Sequence, residues 1–501
     1  MTTAVHTSPA SVRLYKQLIA AERQENDSFI ERINPATGEN TSRYERGTPA
    51  DARLAIAVAK KEFDEGTWPR LSGTERGRII LEWVRLIRQN AESLARIESE
   101  EAGKPLAEAL ADIETTAGLT EHAGMLATNV HGDYYCNLGS SEVGIAAREA
   151  VGVVGAIIAW NFPAVIYASK VPFALAAGCT VVAKPSELTS GTAIELSLLA
   201  YRAGVPETAL SVLTGYGPEV GQPLAESTDV DLLSFTGSTT TASLLSRVDR
   251  PFPQRLSLEL GGKGATIVFA DADLHEAVDG AMKGFCHHQG QVCTAGTRLL
   301  VEDSIADEFV SMLATRVASL RVGDPQDPST DLGPLVDERQ ADRVRGFIDR
   351  ARKDGARILP ASNGAAATQL LPTFVHPVLV VGLAHDHEVF QEEIFGPVLS
   401  VITFASAEEA VALANGTTYG LANGVWTRDI RRAMKVAHSL RSGMVWINDV
   451  LSSPNALPFG GARGSGYGRE KGSEGLNEFT QLKMITMQTE DRVLKYPHTV
   501  G

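Results

Sequence analysis

Cysteine is scarce: Cys136, Cys179, Cys286 and Cys293 are the only four in 501 residues. They form no CxxC pair and are too few for a disulfide framework, so a reducing compartment is implied and we expect the cytoplasm. Long apolar runs are missing too. No stretch reaches the roughly 20 residues that a membrane-spanning helix needs, and residues 1–21 lack the basic-then-apolar pattern of a secretory signal. No membrane partner is expected. Basic residues are outnumbered, with 46 Lys plus Arg against 61 Asp plus Glu, and the formal charge of −15 disfavours nucleic acid as a partner. Metal-ligand spacing is absent as well. His287 and His288 follow Cys286, but adjacent residues on a helix point in different directions, so no metal is expected.

What remains is the composition of an ordinary globular protein, 44% hydrophobic and 21% charged, in a chain long enough for two or three domains. Asn34-Pro35-Ala36-Thr37-Gly38-Glu39 reads as a turn between short strands. From Thr48 the pattern becomes helical. Ser72 and Glu75 have capping-box spacing, and the apolar face through Ile80, Val84, Ile87 and Leu94 predicts one helix running to Gly103-Lys104-Pro105. Residues 131–150 then turn extended, with Tyr134, Tyr135, Val143 and Ile145 as apolar side chains. They suit either an arm that pairs with another subunit or a hairpin packed on its own domain.

From Val151 strands and helices alternate, with strands at 153–159, 180–183, 210–213 and 232–235 and helices at 163–177, 190–201, 218–225 and 238–247. A second series begins near Leu260. Its strands fall at 265–269, 298–301, 398–404, 424–426 and 444–447, and its helices at 274–287, 305–320, 407–415 and 430–440. Repeated βα units with apolar strands predict an α/β protein whose parallel sheets are covered on both faces. No low-complexity linker separates the two series, so a ligand cleft is expected where they abut.

One stretch stands apart, Gly290-Gln291-Val292-Cys293-Thr294-Ala295-Gly296-Thr297-Arg298. Its glycines let the backbone turn sharply, and the apolar run behind it reads as a strand that anchors the loop, so the thiol is presented. A lone cysteine is otherwise most often an inert core residue. Four further stretches place functional groups beyond an apolar strand or in a Gly/Pro-bounded turn: Trp160-Asn161-Phe162-Pro163, Lys184-Pro185-Ser186-Glu187, Glu259-Leu260-Gly261-Gly262-Lys263 and Glu393-Ile394-Phe395-Gly396-Pro397. Sites in parallel α/β folds collect at the carboxyl ends of strands.

With these motifs in this order the chain resembles the aldehyde dehydrogenase superfamily over nearly its whole length, from the Asn34-Pro35 turn to Pro458-Phe459-Gly460-Gly461 and Gly466-Tyr467-Gly468-Arg469-Glu470. In overall texture it is similar to the betaine-aldehyde and aminoaldehyde branch. The resemblance implies a Rossmann-like, parallel-sheet NAD-binding domain in residues 1–128 and 150–258 and an α/β catalytic domain in 259–475. It also implies a small β oligomerisation arm from 129–149 and 476–501, and hence a homodimer or homotetramer.

The resemblance further implies that Cys293, as thiolate, attacks an aldehyde, that Asn161 and the Cys293 N–H hold the oxyanion, and that hydride passes to NAD. Glu259 would then activate the water that hydrolyses the thioester. Taken alone, a surface ion pair with Lys263 would be the commoner fate of Glu259, although the apolar run Leu256 to Leu260 before the Gly261-Gly262 turn argues for partial burial, and Asn161 could equally be a turn-forming residue. No GxGxxG follows the first strand. The cofactor would be held instead by Trp160, Lys184, Glu187, Gly237, Ser238, Glu393 and Phe395. A carboxylate at Glu187 suits ribose hydroxyls and repels a 2′-phosphate, which favours NAD over NADP. One departure from the family pattern is Ala242, where a second glycine is usual five positions after Gly237.

The mouth of the site is expected to be lined by Tyr167, Ser169, Val292, Thr294, Leu451 and Phe459. The branch often has tryptophans at the positions of Ser169 and Phe459 to cage a cation, and both are absent here, although Tyr167 and Phe459 still offer ring faces. No arginine in these loops commits the pocket to a carboxylate. Two alternatives stand beside the hydrolytic dehydrogenase: a coenzyme-A-acylating one, which would not need Glu259, and a catalytically silent scaffold of the same fold.

Overall fold

Three short strands open the chain, β1 (Arg13–Tyr15), β2 (Phe29–Ile33) and β3 (Asn40–Glu45), paired in the order β1-β3-β2 with the expected turn at residues 34–39. The computed structural model describes residues 12–22, 27–360 and 370–490. A helical layer follows. The capping box at Ser72 and Glu75 starts a helix, Gly73–Gln89, but the chain does not continue helically to Gly103. Asn90 leaves the helical region at φ −111° and ψ 16°, and its side-chain amide donates to the Leu86 carbonyl at 2.7 Å, so a second helix, Ala91–Ala102, begins afresh. The apolar period continues unbroken because Ile80, Val84, Ile87 and Leu94 enter one core. That core also takes up the long helix Leu106–Leu126, which lies against Gly73–Gln89 and Pro163–Ala177.

The strands β4 (Asp133–Tyr135) and β5 (Glu142–Ala150) pair with each other, and β5 pairs along its length with the C-terminal strand Thr480–Gln488. This sheet leaves Leu482, Met484, Met487 and Tyr134 exposed, Met484 by 80%.

The alternating region forms two sheets. The first holds β6 (Val153–Ile157), β7 (Thr180–Lys184), β8 (Leu210–Val212), β9 (Leu232–Thr236) and β10 (Arg255–Glu259), parallel and in the order β10-β9-β6-β7-β8. Residues 218–225, read from sequence as one helix, are instead a π turn, Gly217–Gly221, and a short helix, Gln222–Glu226. Pro223 has no N–H with which to extend the first ladder.

The second sheet contains β11 (Ala265–Val268), β12 (Arg298–Glu302), β13 (Arg357–Pro360), β14 (Val378–Val381), β15 (Val398–Phe404), β16 (Ala422–Trp426) and β17 (Met444–Ile447), in the order β13-β14-β15-β12-β11-β16-β17. Its antiparallel edge strand β13, its neighbour β14 and the helix Glu338–Lys353 were not foreseen from sequence. The short strand β18 (Gly466–Tyr467) returns from this half of the chain to pair with β10, next to Glu259. Among the described residues no helix is long and apolar enough to cross a membrane.

Candidate active site

Parallel strands end on one edge of their sheet, and register decides which residues emerge side by side. Ile157 pairs with Lys184 and with Phe235, and Glu259 pairs with Thr236. Trp160-Asn161, Lys184, Thr236-Gly237 and Glu259 therefore leave the first sheet along a single line. Strand order reverses at β6, with β7 and β8 to one side and β9 and β10 to the other, and sheets of this kind form their ligand crevice at such an edge.

The residues expected to hold NAD sit around this crevice. Lys184 Nζ is 3.7 Å from Glu187 Oε2 and donates to the Pro185 carbonyl at 2.9 Å; burial lowers its pKa and Glu187 pulls it partly back. The Thr236 hydroxyl is buried without a hydrogen-bonding partner among the described residues. At Gly237 a β-carbon would stand 2.5 Å from the Phe235 ring, so only bare backbone fits there. Ser238 caps the helix Thr239–Leu245 by accepting from the Thr241 N–H. Ala242 packs with Phe235, Leu258 and Leu260, and the helix forms in spite of the missing glycine.

The Cys293 loop is reached from the helix Leu274–Cys286 through three successive left-handed residues, His288, Gln289 and Gly290 at φ 45°, 55° and 72°. Two of these carry side chains, so the turn stores strain. Packing holds it there: a β-carbon at Gly290 would strike the Gly396 carbonyl at 2.3 Å, and one at Gly262 would strike the Cys293 carbonyl at 2.3 Å. Asn161 Nδ2 donates to the Gln291 carbonyl at 2.9 Å, which ties the end of β6 to a point two residues before the cysteine.

Cys293 keeps partial exposure. Burial, then the nearby carboxylates Glu259, Glu393 and Glu470, push its thiol up to about 12. In the free protein the sulfur therefore rests as a thiol, not as the thiolate that the reaction needs. Glu393 accepts from the Gly262 N–H at 2.9 Å, and burial raises its pKa to about 7. Phe395, at φ 61°, meets Trp160 edge to face with centroids 5.2 Å apart. Gln340 and Arg343 from the helix Glu338–Lys353 hold this strained turn by donating to the Phe395 and Glu393 carbonyls.

Glu259 is the last residue of β10 and is 4% exposed. Its alternative reading as a surface ion pair with Lys263 fails, because both side chains are buried and no ion pair joins them among the described residues. Burial first, then repulsion by Glu470, raises the Glu259 pKa well above the usual carboxylate range; Lys170, Arg469 and the backbone at Gly461 offset only part of this. Lys263 is drawn down to about 7, chiefly by burial.

Sequence reasoning gave no role to Lys170 or Glu470. They form a buried ion pair, Lys170 Nζ also donates to Ser234 Oγ at 2.9 Å, and Glu470 accepts from Ser169 Oγ at 2.6 Å. A lysine inside the otherwise apolar helix Pro163–Ala177 was the signal that could have exposed them.

Two mouth residues need correction. Tyr167 is fully buried, packs edge-on against Trp83 and shares a 2.7 Å hydrogen bond with Ser197, so it serves the core. Ser169 is 1% exposed and engaged with Glu470 and the Ile166 carbonyl. On that helix Val165 and Ile166 are the partly exposed side chains instead. Val292 and Thr294 are each 7% exposed beside Cys293, while Leu451, at φ 57°, and Phe459 keep partial exposure.

A strand-order reversal bordered by a loop that presents a cysteine beside an amide and buried carboxylates fits the dinucleotide-binding α/β class of enzymes. The aldehyde dehydrogenase family model matches residues 21–485, and the chain belongs to that family. It is 39% identical over 479 residues to a betaine aldehyde dehydrogenase of Bacillus subtilis (strain 168), covering 95% of this chain and 97% of the other. Among solved structures it is similar to an NAD-dependent aldehyde dehydrogenase from Sinorhizobium meliloti, with a TM-score of 0.93, 40% identity and 96% of each chain covered. A betaine aldehyde dehydrogenase from Staphylococcus aureus in complex with NAD+ superposes with a TM-score of 0.93 at 34% identity, again over 96% of each chain.

Proposed function

We propose that the protein oxidises an aldehyde to its carboxylic acid with NAD as hydride acceptor. The observation that carries this reading is the convergence of Asn161, Glu259 and Glu393 on the Cys293 loop from three separate stretches of chain. The crevice suits a dinucleotide. Gly237 leaves backbone bare for a close approach, the buried Thr236 hydroxyl is unpaired among the described residues, and Lys184 and Glu187 stand together where a ribose would lie. Trp160, Ser238, Glu393 and Phe395 complete the set.

Bound NAD supplies the acceptor for a hydride and a pyridinium charge that favours the thiolate. The protein's own groups do the rest. The Cys293 thiol gives up its proton to solvent, its sulfur bonds to the carbonyl carbon, and the C=O electron pair moves to oxygen. Asn161 Nδ2 and the Cys293 N–H donate to that oxyanion. When the oxyanion collapses, the carbon loses hydride and becomes a thioester. Glu259 in its ionised form takes a proton from water, which adds to the thioester carbon and releases the acid and the thiol.

Mixing the protein with NAD or NADP and a series of aldehydes, while following absorbance of the reduced cofactor, tests the reaction; silence with every aldehyde refutes it. Glu187 predicts faster turnover with NAD. Asn161→Ala should lower kcat by about 10²-fold or more with a smaller change in KM, since the lost donor acts on charge that develops during the reaction. A drop confined to KM would remove Asn161 from this role.

Residues 1–128 with 150–258 are read as the cofactor domain, 259–475 as the catalytic domain, and 129–149 with the C-terminal segment as an arm, of which residues 491–501 lie outside the described part of the chain. Exposed Met484, Leu482 and Met487 on the arm sheet support assembly into a homodimer or homotetramer. Light scattering at micromolar concentration should give at least twice the chain mass, and a monomer would refute the assembly. Four unbridged cysteines support a reducing, cytoplasmic setting.

A further inference from the structure

Lys471 takes no part in the reaction described above. It follows Glu470, is 5% exposed and holds φ 61°, a conformation that costs energy for any residue with a side chain. Its Nζ donates to Ser453 Oγ at 2.9 Å and lies 5.0 Å from the centre of the Phe459 ring. Both neighbours are neutral, and both lie in the segment between β17 and β18 that carries Leu451, where Leu451, Ser453 and Phe459 are all partly exposed.

No carboxylate among the described residues comes within ion-pair distance of this ammonium. The acidic groups around it are already committed. Glu470 is paired with Lys170 and Asp112 with Lys104, and Glu259, whose pKa is raised by burial and by Glu470, forms no ion pair with Lys471. Removing a cation from water without an anionic partner is costly, so the arrangement is short of one negative charge.

We infer that Lys471 recognises the far end of the aldehyde substrate and that this end is an anion, a carboxylate in the simplest case. Ser453 takes only one of the three ammonium N–H donors, and a carboxylate can accept from those that remain. The Phe459 ring, which a trimethylammonium group would need, is engaged by the protein's own cation, and Tyr167, the other ring expected at the mouth, is in the core. A cationic tail would meet like charge there. Burial also lowers the Lys471 pKa, and Glu470, Cys293, Glu259 and Asp112 restore it only in part, which fits an ammonium still lacking its counter-ion.

This inference rests on the aldehyde oxidation proposed above, and one experiment separates the two. Wild type and Lys471→Met are assayed with NAD on succinic semialdehyde, butanal and betaine aldehyde, and kcat/KM is compared. In the wild type, succinic semialdehyde should exceed betaine aldehyde by at least about tenfold, and Lys471→Met should lower the ratio of succinic semialdehyde to butanal by about tenfold or more. An unchanged ratio overturns the inference while butanal oxidation leaves the reaction standing. If the variant does not fold, the wild-type order decides, and a preference for butanal or betaine aldehyde over the anionic substrate overturns it. Oxidation of none of the three by the wild type overturns this inference, and silence across the wider aldehyde series overturns the reaction as well.

Discussion

Glu259→Gln will release about one equivalent of NADH per active site in a rapid burst and then slow by roughly 10²–10⁴-fold, because the thioester forms without this carboxylate and its hydrolysis does not. Glutamine keeps the size of the side chain in this buried pocket, so folding is little disturbed. The pH dependence has a fixed sign. Only the ionised carboxylate accepts a proton, and burial with Glu470 nearby raises the pKa of Glu259, so the wild-type steady rate should climb as pH rises through that elevated value. The variant should lose this climb. Quenched-flow mixing followed by intact mass would show the acyl group retained on the protein. An undiminished steady rate would remove Glu259 from hydrolysis, and if coenzyme A then accelerated turnover without forming free acid, the acylating alternative would replace the hydrolytic one.

Much of this architecture was legible because buried parallel strands write themselves as continuous apolar runs; β15 and β17 and the helix Pro163–Ala177 match their expected limits residue for residue. Elements without contrast were lost. The helix Leu106–Leu126 is buried on much of its circumference and shows little periodicity, while Asn90 interrupts a helix whose apolar spacing continues past the break. Side-chain direction was harder still. Ile166 and Tyr167 are neighbours, yet about 100° of helical rotation leaves one partly exposed and turns the other into the core against Trp83. Pairings across long separations left no local trace, so Lys170 and Glu470, 300 residues apart, could not be joined from the sequence. Lys471 was overlooked for the same reason, since only the folded chain shows that its neighbours Ser453 and Phe459 bring no counter-ion.

Cys293→Ala should abolish turnover, lowering kcat by about 10⁴-fold or more, while NAD still binds, because the residues around the cofactor crevice are untouched. Alanine cannot form the carbon–sulfur bond, so even the single-turnover burst that Glu259→Gln retains must vanish. The contrast between the two variants isolates acylation from hydrolysis. The resting thiol supplies a second readout: since burial and three surrounding carboxylates hold it at about 12, its thiolate fraction in the free protein grows tenfold per pH unit across the neutral range and beyond. Alkylation of wild type by iodoacetamide should therefore be slow at pH 7, accelerate steadily to pH 10 and above, and be absent at this position in Cys293→Ala. Added NAD should speed it near neutrality by bringing positive charge beside the sulfur. A rate that levels off below pH 8 without cofactor would mean that the thiol is already activated in the free protein, and a Cys293→Ala protein that still yields NADH would transfer the chemistry to another nucleophile.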